Sequence, residues 1–258
     1  MIRMSTVNGH YQNLLSKHYT WMFGLSFDEK VKEQKELLLA ATGSFKNGTG
    51  NGLAVDLGSG SGFQTIALAE LGFSPVIAID TSAELLEELR SHAAGYSIQA
   101  AQTDLRDLPV IVPAGGVTVA VCMGDTLTHL PSKNDVRTLF KAAFDALRPG
   151  GLFIITYRDL TMELKGNDRF LPIRSDNDRI MTCFLEYTDA ETVVVHDLVH
   201  TRDGNNWTLN KSSYRKLRLG SEWIAQELSA AGFVLEFQGS AGRLLEIVAR
   251  KPEHSGSA

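Results

Sequence analysis

Asp56-Leu57-Gly58-Ser59-Gly60-Ser61-Gly62, DLGSGSG, follows the apolar run Leu53-Ala54-Val55 and precedes FQTIALAELG. The run before it is a short buried strand. The segment after it is helical, with Ile66, Leu68, Ala69 and Leu71 apolar and Gly72 as the stop. Three glycines in five residues exceed what a strand–helix turn needs, and they let the backbone come close to a ligand. Outward from this stretch, strands and helices alternate. PVIAID is a second strand and SAELLEELRSHA a second helix, with Ser82 as its N-cap. SIQAAQTD holds a third strand, VTVAVCMG a fourth, KNDVRTLFKAAFDAL a helix, RPGG a turn and GLFIITY a fifth strand. Apolar strands alternating with amphipathic helices predict a Rossmann-like, doubly wound α/β fold with a mostly parallel sheet.

The glycine spacing is close to the dinucleotide fingerprint, but Phe63 stands where its third glycine would fall. Asp56 is a second objection, because its carboxylate would repel a pyrophosphate. A cofactor with a sulfonium and an ammonium group removes that objection and points to S-adenosylmethionine. Asp80, at the end of PVIAID, can accept from both ribose hydroxyls of a nucleoside. Asp104, in QTDLRD, is placed for an adenine amino group, with the Leu105 N–H for a ring nitrogen. Met123 opens the loop after the fourth strand, at the carboxyl end of the sheet where ligands bind in such folds.

DLGSGSG, AID, TDLRD, CMGD and LRPGG, in this order, resemble the motif set of class I S-adenosylmethionine-dependent methyltransferases. The resemblance covers about residues 50–160, with SEWIAQELSAAGF as a family-type ending. It implies S-adenosylmethionine as cofactor, held by Asp56, Gly58, Ser59, Gly60, Gly62, Asp80, Thr81, Asp104, Leu105 and Met123, with Tyr19 reaching in from the N-terminal segment. Four stretches follow: an N-terminal helical lid (1–45), the cofactor-binding core (46–160), an antiparallel β insertion shaping the acceptor site (161–218) and a closing helix with strands (219–258). KNGTGNG breaks the pattern between the first two.

CMGDTLTHL and GGLFIITYRDL resemble the glycine and sarcosine N-methyltransferases within that family. The chain departs from them at Asp125 and Asp159, both carboxylates where those proteins carry asparagine. Two added carboxylates suit an amine or cationic acceptor. Asp125, His129, Tyr157 and Arg158 are the candidate catalytic residues, with Asp159 beside them. His129 is either a base or a loop-bonded histidine, and Arg158 either grips a substrate carboxylate or pairs structurally. Of Tyr214 and Arg215, strand alternation turns one away. Tyr11 and Tyr19 either close over a methylammonium or pack, while Trp21 and Phe23 pack.

The 258 residues carry a formal net charge of −5, which argues against a nucleic-acid partner. Arg169, Arg174 and Arg179, with Lys211, Arg215, Lys216 and Arg218, keep a protein or RNA acceptor open as the alternative to a small molecule, and an oxidoreductase is a more distant one. Cys122 and Cys183 form no disulfide framework, and no Cys/His spacing suggests a metal. The absence of a signal-type or membrane-spanning run points to a cytoplasmic protein with no membrane partner.

Overall fold

The computed structural model describes residues 6–42 and 52–253. The break at KNGTGNG, apart from Gly52, and the polar tail after Glu253 lie outside the described residues. The N-terminal segment is broken into short pieces: α1 (Val7–His10), a π-helical turn (Tyr11–Leu15), a 3₁₀ turn (Ser16–His18) and α2 (Tyr19–Met22). α3 (Phe27–Ala41) is the long one. It starts where Ser26 and Glu29 cap each other's backbone N–H groups.

The alternation then runs as β1 (Leu53–Leu57), α4 (Phe63–Glu70), β2 (Val76–Asp80), α5 (Ala83–His92), β3 (Ile98–Gln102), α6 (Leu108–Ile111), β4 (Val117–Cys122), α7 (Lys133–Ala146) and β5 (Leu147–Tyr157), as read from the sequence except for the short α6, which the reading lacked. Ser82 caps α5 by accepting from the Leu85 N–H, and Ser132 does the same for α7 with Asp135. One expectation fails. LRPGG is no turn ahead of a strand but the start of β5, which absorbs it through a register shift against β4, with Gly150 at φ +76°.

An antiparallel sheet follows: β6 (Phe170–Ser175), β7 (Arg179–Tyr187), β8 (Thr192–Asp203) and β9 (Asn206–Leu217). β6 escapes the sequence pattern because Pro172 interrupts it, and it sits at the sheet edge, where a missing N–H is tolerated. α8 (Ser221–Ala230), β10 (Val234–Ala241) and β11 (Leu244–Arg250) complete the large sheet.

That sheet has the order β10-β11-β5-β4-β1-β2-β3, parallel from β5 to β3, with β11 antiparallel to β5 and β10 antiparallel to β11. Val55, Leu57, Ile77 and Ile79 face a core shared with α7 and α8. Ala54, Val76 and Ala78 face the layer of α3, α4 and α5. Strand order reverses between β1 and β4, so the loops leaving these strands flank the crevice that α/β sheets use for ligands. The two loops touch: a Cβ on Gly58, at φ +77°, would lie 2.2 Å from the Thr126 methyl.

Candidate active site

The glycine loop is anchored on the end of β2. Gly58 and Ser59 donate their N–H groups to the Ile79 carbonyl at 2.8 and 3.0 Å. Gly60 donates to the Asp80 carboxylate at 2.8 Å, and Gly62 to the Ser59 carbonyl at 2.9 Å. A pyrophosphate cradle needs such N–H groups free. Here four of them are already taken, so the loop presents shape rather than a ring of donors. The Asp80 carboxylate also accepts from the Ser82 N–H at 2.8 Å, and burial raises its pKa. Each of its oxygens keeps a lone pair for a further donor.

Above this loop lies a cavity of about 320 Å³ lined by Gly58, Gly60, Asp80, Thr81, Asp104, Leu105, Gly124, Thr126 and His129, with Asn8, Tyr11 and Tyr19 closing it from the N-terminal segment. Gly60 sits at φ +54°, where glycine is favoured, and a Cβ there would lie 3.1 Å from the Tyr19 hydroxyl, so Tyr19 would have to shift. Thr81 Oγ1 donates to Asn8 Oδ1 at 2.8 Å, which ties the lid to the core at the cavity mouth. A nucleoside-sized ligand with hydroxyl donors and no phosphate fits this cradle: bare backbone below, a carboxylate acceptor at the side and a phenol above.

Other predicted cofactor residues lie elsewhere in the layer. Gly62, at φ +96°, makes room for Leu89 of α5, whose Cδ1 would lie 2.2 Å from an added Cβ. Asp56 is buried and accepts from Thr65 Oγ1 at 2.6 Å. Burial drives its pKa up to about 7, against the pull of that hydrogen bond. Ser59 is buried with its hydroxyl unpartnered, and Met123 packs under the loop. Asp104 reaches the cavity rim with its carboxylate gripped by Arg106, at 2.9 and 2.8 Å. Arg106 also pairs with Asp135 at 2.9 Å.

A second cavity, of about 410 Å³, opens on the other side of Tyr11, Tyr19, Gly124 and His129, which line both. Its walls come from the lid, from the ends of β4 and β5, and from one face of the antiparallel sheet. The loop after β4 is held in an unusual form. Gly124 and Asp125 take φ values of +72° and +81° in succession, and aspartate is among the few residues that tolerate this region. The turn aims the Asp125 carboxylate inward, where it accepts from the Arg158 N–H and Thr128 Oγ1, both at 3.0 Å, and from Lys216 Nζ. Arg158 Nε stands 3.7 Å away. Burial would raise the Asp125 pKa, but Lys216, His129 and Arg158 together hold it below the usual carboxylate value.

His129 stacks on Tyr214, with ring centroids 5.3 Å apart and planes 14° apart, and its buried Nδ1 has no partner. Burial, reinforced by the Lys216 charge, drives its pKa down to about 3, so the imidazole is neutral. On the same sheet face, His10 Nε2 lies 2.9 Å from Asp197 Oδ2, and the His10 ring stacks 4.1 Å from Tyr214.

Several candidates part company here. Arg158 and Asp125 line the second cavity with His129. Tyr157 does not: Thr156 faces the cavity, where its hydroxyl oxygen accepts from the Gly124 N–H at 2.9 Å, so the next residue points through the sheet into the opposite core, where Tyr157 is fully buried. Asp159 is turned away as well, accepting from the N–H and hydroxyl of Thr161. Asp125 is thus neutralised by its own cations instead of awaiting a cationic acceptor. Tyr214 faces in and Arg215 out, and the same alternation brings in Lys216, which motif reading passed over. Asp197 and Thr156 were also missed; no short motif marks them. Of the basic clusters, Arg174 and Arg179 meet over the Trp21 ring at 5.4 and 4.5 Å, while the second is split, with Lys216 pointing inward and Arg218 buried against the Leu160, Thr161 and Asp189 carbonyls. Among the described residues no group of acidic, histidine and cysteine side chains could hold a metal, and no helix is long and apolar enough to cross a membrane.

Residues 54–151 match a family model described as a methyltransferase domain. A glycine/sarcosine N-methyltransferase of Halorhodospira halochloris is 31% identical over 107 residues, 41% of this chain and 39% of that protein. A putative methyltransferase of Bacillus subtilis, YqeM, is 35% identical over 104 residues, 40% of this chain and 41% of that one. The matched region thus spans about two fifths of these curated relatives. Over nearly the whole chain the fold is that of the CcbJ methyltransferase from Streptomyces caelestis, with a TM-score of 0.76, 18% identity and coverage of 94% and 98% of the two chains. It is also that of the sugar N-methyltransferase KedS8 from a Streptoalloteichus species, with a TM-score of 0.70, 13% identity and coverage of 98% and 97%.

Proposed function

We propose that this chain, whose core is a class I S-adenosylmethionine-dependent methyltransferase domain, transfers a methyl group to a small-molecule acceptor, at nitrogen, by in-line displacement. The observation that carries this is the pair of cavities meeting at one wall of Tyr11, Tyr19, Gly124 and His129. S-adenosylmethionine, when bound, supplies an electrophilic methyl group on a positively charged sulfur. The residues fitted to hold it are Gly58 and Gly60 below, Asp80 for the ribose hydroxyls, Asp104 and Leu105 at the adenine end, and Tyr19 above.

The rest is positioning, which suffices where the leaving group is good. The acceptor nitrogen must reach the shared wall with its lone pair free. Neutral His129 is too weak a base to take a proton from an ammonium, so it serves as an uncharged wall and hydrogen-bond partner. The amine instead enters in its neutral form, having left its proton with bulk solvent, because burial disfavours the charged form. Burial also raises the Tyr11 and Tyr19 phenols, which therefore remain donors at neutral pH. Four hydrogen bonds hold the N-terminal segment over the cavities: His10 to Asp197 at 2.9 Å, Asn8 to Thr81 at 2.8 Å, Thr20 to Glu88 at 2.5 Å and Trp21 to Asp176 at 2.5 Å.

The test is mass spectrometry of a panel of amines incubated with S-adenosylmethionine carrying a deuterated methyl group. The expected product gains one such methyl on nitrogen, with S-adenosylhomocysteine formed in equal amount. Label found only on oxygen or carbon acceptors contradicts the choice of nitrogen. Label on no small molecule, but on proteins or RNA, favours the macromolecular alternative.

A further inference from the structure

We infer that the acceptor is an amphiphile, with its amine at the shared wall and an apolar body far larger than glycine lying along the antiparallel sheet. The inference rests on the methyltransferase reading of the site and deepens it. The inner face of the sheet is polarised from one edge to the other. The strands nearest the shared wall contribute Asp197 from β8 and Tyr214 and Lys216 from β9. The far strands contribute Leu171 and Ile173 from β6, with Met181 and Leu185 from β7. Two cross-strand rows make the gradient explicit. Leu185 pairs with Val195 and Val195 with Tyr214; Leu171 pairs with Cys183 and Cys183 with Asp197. Met22 and Leu15 of the lid face this apolar side.

The charged groups on the cavity wall are matched to one another, Asp125 with Lys216, Asp197 with His10 at 2.9 Å and Glu33 with Lys30 at 2.6 Å, apart from Arg158, whose half-exposed guanidinium stands 3.7 Å from Asp125 at the polar end. What is left for a ligand to cover is mostly hydrocarbon. A volume of about 410 Å³ is in the range of drug-sized ligands. A glycine-sized acceptor would leave the Leu171, Ile173 and Met181 end in contact with water and gain nothing from it. Two methionines, Met22 and Met181, line that end with side chains able to fit irregular shapes.

The experiment is calorimetric titration of the full chain, with and without saturating S-adenosylhomocysteine, by n-alkylamines from ethylamine to nonylamine and by glycine. Affinity is expected to rise about fourfold per added methylene, the equivalent of about 0.8 kcal/mol for each one buried, and to level off when the cavity is full. Leu171→Trp fills the half-buried far end from the edge strand. It should bring the levelling-off to shorter amines while S-adenosylhomocysteine affinity and melting temperature stay as in the parent. Ile173→Trp repeats the test should Leu171→Trp fail to fold. Affinity independent of chain length, a preference for glycine, or a levelling-off at the same chain length in the folded tryptophan variant as in the parent overturns the inference. Failure of S-adenosylhomocysteine to bind, by contrast, strikes the methyltransferase reading, and the amine slope without it still decides the apolar site.

Discussion

The two cavities are built on opposite plans. The cofactor-side cavity takes its floor from backbone: one glycine loop, one carboxylate at the end of the next strand, and two loops in contact at the point where strand order reverses. The acceptor-side cavity is made of side chains from three parts of the chain that lie far apart in sequence: the lid, the ends of β4 and β5, and the four consecutive antiparallel strands β6–β9. On the first plan, function is stored in local geometry that few sequences can produce. On the second, it is stored in which way alternating residues happen to face.

The difference predicts where substitutions hurt. The largest effect is expected on the acceptor side, where Lys216→Met leaves Asp125 buried without its main partner. Chemical denaturation should show a loss of about 3–5 kcal/mol, and most of it should return in the double variant with Asp125→Asn. An equal loss in the double variant would mean that packing, not charge, is at stake. Next, on the cofactor side, Asp80→Ala removes an anionic acceptor and frees the Gly60 N–H. S-adenosylmethionine affinity should fall on the order of 100-fold in a titration.

The pH responses of the two sides run in opposite directions. Asp56 has its pKa raised to about 7, above its unfolded value of 3.8. Its contribution to stability is therefore full below the unfolded value and is lost as pH rises through 7. His129 has its pKa lowered to about 3 from 6.5. The unfolded chain then binds the proton first, so this contribution is present above 6.5 and is lost as pH falls toward 3. Between pH 4 and 6.5 both contributions change, with opposite signs, so melting temperature should rise more steeply with pH in Asp56→Asn and fall more steeply with pH in His129→Asn than in the parent. The reverse assignment would undo the contrast. The smallest effect is expected for Asp159→Asn, whose side chain only closes a turn with Thr161. Methyl transfer and melting temperature should both be unchanged; a changed acceptor KM would return Asp159 to the site.

The contrast also explains what the sequence made legible. DLGSGSG, the acid at position 80 and the strand–helix rhythm are contiguous signals, and the cofactor side and the sheet follow from them. β6 was hidden by Pro172, and RPGG was read as a turn because a glycine pair can equally start a strand through a bulge. On the acceptor side, Tyr157 was chosen over Thr156, although the pleat admits only one of them to the cavity. Lys216 was passed over for Arg215 for want of the same register. Asp125 looked like a receptor for cations because its own cation lies 91 residues away in the chain. None of these long-range pairings has a local signature.

The most direct test of the central claim is isothermal titration of the purified chain with S-adenosylmethionine, S-adenosylhomocysteine and NAD. Saturable binding of the first two at one site per chain, abolished or strongly weakened in Asp80→Ala, and no binding of NAD is the predicted result. Binding of NAD without either sulfur compound would contradict it and return the glycine loop to the dinucleotide enzymes.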